Sequence, residues 1–170
     1  VTTTLLLRAQ RAMQAIVAPA WEGRADNLPY KTWYDALIVA SLVEKETPVD
    51  EEKPLIAGVI LKRLAENRYL QIDASVIYGL GKEFDDDLTR ENMRRPTPHN
   101  TYTNKGLPPT PIAMPSARSI HAALHPTKTD YLYFVASGNG RHHFSTTLQE
   151  HQRAVEQYIL APAREKAKTP

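Results

Sequence analysis

Two carboxylates close an apolar run in the stretch Ala36-Leu-Ile-Val-Ala-Ser-Leu-Val-Glu-Lys-Glu-Thr-Pro48. Glu44 and Glu46 stand two positions apart, which on a helix is about 200° of rotation, so at most one of them faces a given cleft. A carboxylate at this end meets the negative pole of the helix, which disfavours its charged form. Burial pushes the same way, toward a raised pKa. A glutamic acid that stays protonated near neutral pH is what a general acid for breaking a glycosidic bond requires. The ordinary alternative is a pair of solvated charges at a helix end, since most glutamates sit in water. The stretch alone leaves both readings open.

A second group of polar and aromatic residues lies further on. Asn100, Tyr102 and Tyr78 offer amide donors, hydroxyls and flat apolar faces. That mixture suits sugar rings, whose edges hydrogen-bond and whose faces stack. It equally suits a proline-rich loop whose Asn and Thr satisfy backbone groups while Tyr fills core. His142 and His143 are adjacent and point to opposite faces of a strand, so they do not readily chelate one ion. His121, His125 and His151 add no ligand spacing, and the acidic run Asp85 to Asp87 lacks that of a calcium loop. Cysteine is absent, and so is any dinucleotide, phosphate-loop, nucleophile-elbow or zinc-protease motif. No metal and no cofactor are expected.

These side chains need elements to hold them. Thr32-Trp-Tyr-Asp35 fits a capping pattern and Pro48 a stop, giving a buried helix from about Trp33 to Glu46. Leu5, Leu6, Ala9, Ala12, Met13 and Ile16 recur at helical spacing, so a helix over about 4–17 is expected on the outside of the domain. Pro54 opens an amphipathic helix through Leu55, Ile56, Val59, Ile60 and Leu64, ending near Asn67. Leu70 to Ile72 reads as extended. Asp73 is expected to cap a short helix, with Gly79 and Gly81 as terminators. Thr89 caps another helix through Met93, and Ser116 one through Leu124. Pro96 to Pro115 is an ordered irregular loop. Tyr131 to Ala136 is the strong strand signal, with a turn at 137–140 and a returning strand over Arg141 to Phe144. Thr147-Leu-Gln-Glu150 opens a last helix to about Leu160, and a frayed polar tail follows Pro162. The result is α+β, mainly α, with one β-hairpin and no βαβ alternation.

The chain has 170 residues, 42% hydrophobic and 24% charged, with net charge +2 and pI near 8.8. That is one domain with room for a core. No Lys/Arg run points to nucleic acid. No apolar run has membrane-spanning length and no signal peptide is visible. The sequence begins at Val1, which we read as an excised or processed piece, so a missing anchor says nothing about where the whole protein works.

Several short segments recur in fixed order: Val43-Glu-Lys-Glu-Thr47, Leu70-Gln-Ile-Asp73 running into Val76-Ile-Tyr-Gly79, Asn100-Thr-Tyr102, Gly106-Leu-Pro-Pro109, Ile112-Ala113, His125-Pro126, Tyr131-Leu-Tyr-Phe-Val135 and His142-x-Phe144. In these the chain, from Trp21 to Leu160, closely resembles the C-terminal catalytic part of the MltG (YceG-like) endolytic murein transglycosylases. The resemblance implies a lysozyme-like catalytic domain over 31–160, an N-terminal helix and connection over 1–30, and a polar tail over 161–170. It implies cleavage of peptidoglycan glycan strands between MurNAc and GlcNAc, leaving 1,6-anhydro-MurNAc ends. It implies an anchor in the inner membrane preceding this stretch, work on the periplasmic face, and wall-synthesis proteins as candidate partners. The family's catalytic glutamate is the second of Glu-Lys-Glu-Thr, which is Glu46 here. Asp73-Ala74 stands where many relatives have Asp-Pro.

On this reading Glu46 is acid, then base. Gln71, Asp73, Asn100 and Tyr102 are candidates for holding sugar, with Asp73 a helix cap or a substrate contact. Three alternatives remain: a lysozyme-type hydrolase with Asp73 as second carboxylate, a non-catalytic glycan-binding module, and a scaffolding piece of a wall-synthesis complex. Because no ligand spacing is present, activity should be unchanged by EDTA. Loss of turnover in EDTA with recovery on adding one divalent ion would show the expectation wrong.

Overall fold

The apolar run becomes a helix that water does not reach along its middle. In this computed structural model, which describes residues 2–168, helix α2 spans Trp33–Glu46, with residues 36–43 all buried. Val39, Ala40, Leu42 and Val43 have zero exposure. Its start is fixed by Asp35, whose Oδ2 accepts from the backbone N–H groups of Lys31 at 2.7 Å and Thr32 at 3.1 Å. Its stop falls at Glu46, with Thr47 extended at φ −143° ahead of Pro48. Ser41 is the one polar residue in the run. Its hydroxyl donates to the Ile38 carbonyl at 2.7 Å and accepts from the Ile112 N–H at 3.0 Å, so the buried polar atom is satisfied and pins the proline-rich loop to the core.

Helix α3 (Lys53–Ala65) and helix α6 (Ala117–Leu124) pack on α2. Helix α3 buries Ile56, Ala57, Val59 and Ile60, the stripe read from the sequence. Helix α1 (Thr2–Glu22) is longer than the expected 4–17 and buries only Val17. Met13, Ala20 and Trp21 also rest on the core, while Leu5 and Leu6 are 66% and 65% exposed. The outside packing is thus confined to the C-terminal half of α1.

Helix α4 (Asp73–Leu80) has Ile72, not Asp73, as its N-cap. The Asp73 side chain is turned away from the helix end, so the expected cap is corrected to a residue in the first turn. Gly79 lies inside the helix against Thr97, and Gly81, at φ +57°, is the terminator. Helix α5 (Arg90–Arg94) is capped by Thr89, whose Oγ1 accepts from Asn92 N–H at 3.1 Å. Strands β1 (Tyr133–Gly138) and β2 (Arg141–Ser145) pair antiparallel, Tyr133 opposite Ser145 and Ala136 opposite His142. Asn139 and Gly140 make the turn, both at positive φ. Helix α7 (Leu148–Val155) opens on the Thr147/Glu150 capping box. It passes through a π-helical turn, Glu156–Leu160, into α8 (Ala161–Lys168). The expected frayed tail is therefore helical to Lys168. Pro162 falls in the first turn of α8, where its missing N–H is least costly.

Gly58 shows how closely these helices pack. A Cβ there would lie 2.0 Å from the Thr127 carbonyl oxygen, which is backbone and cannot rotate away. On an exposed helix Gly→Ala gains about 1 kcal/mol. Here we expect Gly58→Ala to lose about 1–3 kcal/mol through overpacking, read as a lower urea midpoint. A midpoint at or above the parent's would contradict this packing.

Candidate functional site

The two glutamates at the end of α2 occupy opposite environments, as their spacing requires. Glu44 turns toward the N-terminus of α6. Its Oε2 accepts from the Ser116 N–H at 3.0 Å, the Ser116 hydroxyl at 2.7 Å and the Ser119 hydroxyl at 2.5 Å, with Lys53 Nζ at 3.7 Å. Burial alone would raise its pKa. The hydrogen bonds from Ser119 and Ser116 and the charge of Lys53 outweigh that and hold it down at about 2. Glu44 is thus a fixed anion that ties α2 to α6.

Glu46 turns the other way, into a cleft of about 570 Å³. Burial, with the negative charge of Asp73 adding to it, pushes the Glu46 carboxyl up to about 7. No hydrogen bond to the charged form offsets these effects. The group is therefore proton-bearing and proton-releasing near neutrality, the condition for general acid–base work.

Around Glu46 the cleft gathers Gln71, Asp73, Tyr102, Arg63, Tyr133 and His142. The Tyr102 hydroxyl donates to Asp73 Oδ1 at 2.5 Å. Burial, then Asp73 itself, raise the Tyr102 pKa, so the phenol stays a donor. Gln71 sits in the left-handed region at φ +57°, a strained geometry for a residue with a side chain. Two buried hydroxyls hold it there. Thr101 Oγ1 accepts from Ile72 N–H at 2.9 Å, Ser75 Oγ donates to the Ile72 carbonyl at 2.6 Å, and the two hydroxyls meet at 2.8 Å. The Thr101 carbonyl accepts from the Gln71 N–H at 3.2 Å. This network fixes Gln71 and Asp73 on one segment and Tyr102 on the other.

Of the residues expected from sequence, Glu46, Gln71, Asp73 and Tyr102 share this cleft. Asn100 does not, and its expected contact with sugar is corrected. Its exposure is 0%. Its Nδ2 donates to the Met93 and Arg95 carbonyls at 3.0 and 2.8 Å, and its Oδ1 accepts from Tyr102 N–H at 2.8 Å. It organises the loop that carries Tyr102. Tyr78 also lies outside the cleft lining, edge-on to His99 at 4.7 Å.

Arg63, Tyr133 and His142 were not singled out for the site from sequence. Arg63 donates to the Tyr69 and Leu132 carbonyls, both at 2.9 Å, and to Gln71 Oε1, with its guanidinium over the Tyr133 ring. It joins the end of α3 to both sides of the cleft. In the sequence it reads only as a cation in a helix's last turn, where a cation is ordinary. Helix α7 and its π-helical extension add Leu148, Val155 and Ile159 to the lining, together with His151, which stacks on Tyr133 at 5.2 Å.

Fold and cleft together define a mainly helical α+β domain with one hairpin, built around a single raised carboxyl group. The chain belongs to the YceG-like family, whose model matches residues 2–157. It is 46% identical over 123 residues to an endolytic murein transglycosylase of Bacillus subtilis, covering 72% of this chain and 34% of that protein. It is 35% identical over 130 residues to the endolytic murein transglycosylase of Streptococcus pneumoniae, covering 74% and 24% respectively. A crystal structure of a yceG-like protein from Listeria monocytogenes superposes with a TM-score of 0.64 at 41% identity, over 71% of this chain and 38% of that one. The chain thus spans 34% and 24% of the lengths of these two curated relatives.

The raised Glu46 pKa carries a stability consequence. A carboxyl that rises from 4.5 to about 7 on folding favours the fold fully below pH 4.5, and that contribution is lost as pH climbs through 7. Glu46→Gln removes this dependence. Relative to the parent, the variant should gain about 3 kcal/mol between pH 4 and pH 8, measured by urea unfolding at each pH. Parallel stability curves for parent and variant would rule out a raised Glu46.

Proposed function

We propose that this chain is the catalytic portion of an endolytic peptidoglycan lytic transglycosylase. Glu46 acts on the bond between MurNAc and GlcNAc and leaves 1,6-anhydro-MurNAc ends. The observation that carries the reading is the Glu46 carboxyl, half-sealed at the foot of the cleft and poised at about 7. Membership of a family with relatives named endolytic murein transglycosylase supports the substrate class.

In its protonated form Glu46 donates to the glycosidic oxygen as the C1–O bond breaks and positive charge develops at C1. Now ionised, it takes the proton from the C6 hydroxyl of the same MurNAc. That oxygen bonds to C1 and closes the anhydro ring. The nucleophile belongs to the substrate, so its effective concentration is high and no activated water is needed. Tyr102, Gln71 and Arg63 border the sugar-binding floor. Asp73, held by Tyr102, supplies negative charge near the developing cation and keeps Glu46 protonated.

Asp73 in the same cleft is also what a lysozyme-type hydrolase would need as its second carboxylate. Product mass separates the two, anhydro ends against water addition. We place the activity in the cell envelope, on the outer face of the cytoplasmic membrane, with glycan strands as the partner. Among the described residues no helix is long and apolar enough to cross a membrane.

Glu46→Gln should fold and lose about 10²–10⁴-fold in cleavage rate, whereas Glu44→Gln should lose stability before activity. Cleavage by the parent should fall as pH rises through about 7. Asp73→Asn removes the charge that lifts Glu46, so this alkaline limb should move to lower pH while products stay anhydro. Mass spectrometry of muropeptides across the pH series is the measurement. A steep acidic limb lost with Asp73→Asn, together with hydrolysed ends, would favour the hydrolase.

A further inference from the structure

The cleft holds a second organised side chain that the single-glutamate scheme leaves without a task. His142 lines the cleft from β2. Behind it stands Glu52, the residue that precedes α3 and is 9% exposed. Both Glu52 oxygens contact this residue, and Oε1 also lies 3.9 Å from Arg141 Nη1. Oε1 accepts from the His142 backbone N–H at 3.1 Å, and Oε2 lies 2.9 Å from the ring Nδ1. Phe134 meets the ring edge-on at 5.4 Å. Imidazole plane and rotamer are thereby fixed. A carboxylate can only accept, which assigns the Nδ1 proton to the histidine. Nε2 makes no hydrogen bond among the described residues and is not among their sealed, unpartnered polar atoms. His142 lines the cleft, so Nε2 is the ring nitrogen left for a group bound there.

The hairpin that carries His142 is docked on the end of α2. Gly140 packs against Pro48, and its carbonyl accepts from Thr47 Oγ1 at 3.5 Å. The segment after Glu46 and the turn before His142 are therefore in direct contact. With Oε1 on the backbone N–H and Oε2 on the ring, Glu52 fixes both the strand and the direction of the far ring nitrogen. Tethering the strand alone would need only the backbone contact.

We propose that His142 Nε2 accepts a hydrogen bond from a hydroxyl of the bound glycan, and that Glu52 is the positioning residue that fixes its tautomer and direction. This rests on the glycan reading of the cleft given above. His142 orients the sugar next to Glu46, and no covalent step passes through it.

Asparagine places an amide N–H where Nδ1 stands and nothing where Nε2 stands. Glutamine reaches the Nε2 position and gives up the Glu52 contact. We would measure binding of peptide-free MurNAc–GlcNAc strands by calorimetry with the intact protein carrying Glu46→Gln, and cleavage in the Glu46 protein. His142→Asn should keep the parent's thermal midpoint yet bind roughly tenfold more weakly, the worth of one hydrogen bond. His142→Gln should recover part of that binding at a lower midpoint. Glu52→Gln, which keeps one acceptor, should bind more tightly than Glu52→Ala. If His142→Asn binds and cuts like the parent, the ring is a structural tether only and the inference fails, while the proposed reaction stands. A parent that neither binds nor cuts these strands overturns both.

Discussion

A helix whose middle eight residues never meet water must end where polar groups begin, and everything near the cleft follows from where that happens. The unsatisfied carbonyls of the last turn and the dry interior both disfavour a negative charge. Glu46 is placed where these two effects act together, and Asp73 adds a third. The raised carboxyl is therefore a product of the core itself. Residues such as Leu42 and Val43, at zero exposure, belong to its mechanism as much as to its stability.

Keeping such a group in place demands rigid polar neighbours, because a loose loop would admit water and return the pKa to its ordinary value. The structure supplies them as small, fully satisfied networks. Ser75 and Thr101 share hydroxyls below the cleft floor, and Asn100 spends both ends of its amide on loop backbone. Buried polar groups of this kind specify one arrangement, since any slip leaves a donor or acceptor unpaired. The left-handed Gln71 is tolerated because Thr101 and Arg63 hold it from two sides.

Much of this was legible in the sequence, for reasons that can be named. The extent of α2, the Thr89, Ser116 and Thr147 caps and the hairpin's strands and turn follow from local chemistry and were placed within a residue or two. The site was legible where it lay on such elements, as for Glu46 and Asp73. Asn100 misled because an amide beside an aromatic reads alike whether it faces sugar or backbone. Only the fold decides, by giving it zero exposure. Arg63, Glu52 and His142 were illegible because their partners are distant in the chain. Glu52 and His142 stand 90 residues apart, and each alone looks ordinary. The tail beyond Pro162 was expected to fray because it is polar, whereas it continues the helix after a π-helical turn.

Glu44 and Glu46 make the general point most sharply, since they share residue type and the last turn of one helix. One meets two serine hydroxyls, a backbone N–H and a lysine, and sits at about 2; the other meets apolar walls and an aspartate, and sits at about 7. No intrinsic property of glutamate separates them. The separation comes from the 200° between them on the helix, which sends one toward the donor-rich start of α6 and the other into a cleft where, among the described residues, no hydrogen bond to it is made. Exchanging their surroundings would exchange their chemistry. The spacing of two residues is thus the feature that lets a single helix end supply both a permanent anion to hold the fold and a titrating acid that faces a cleft.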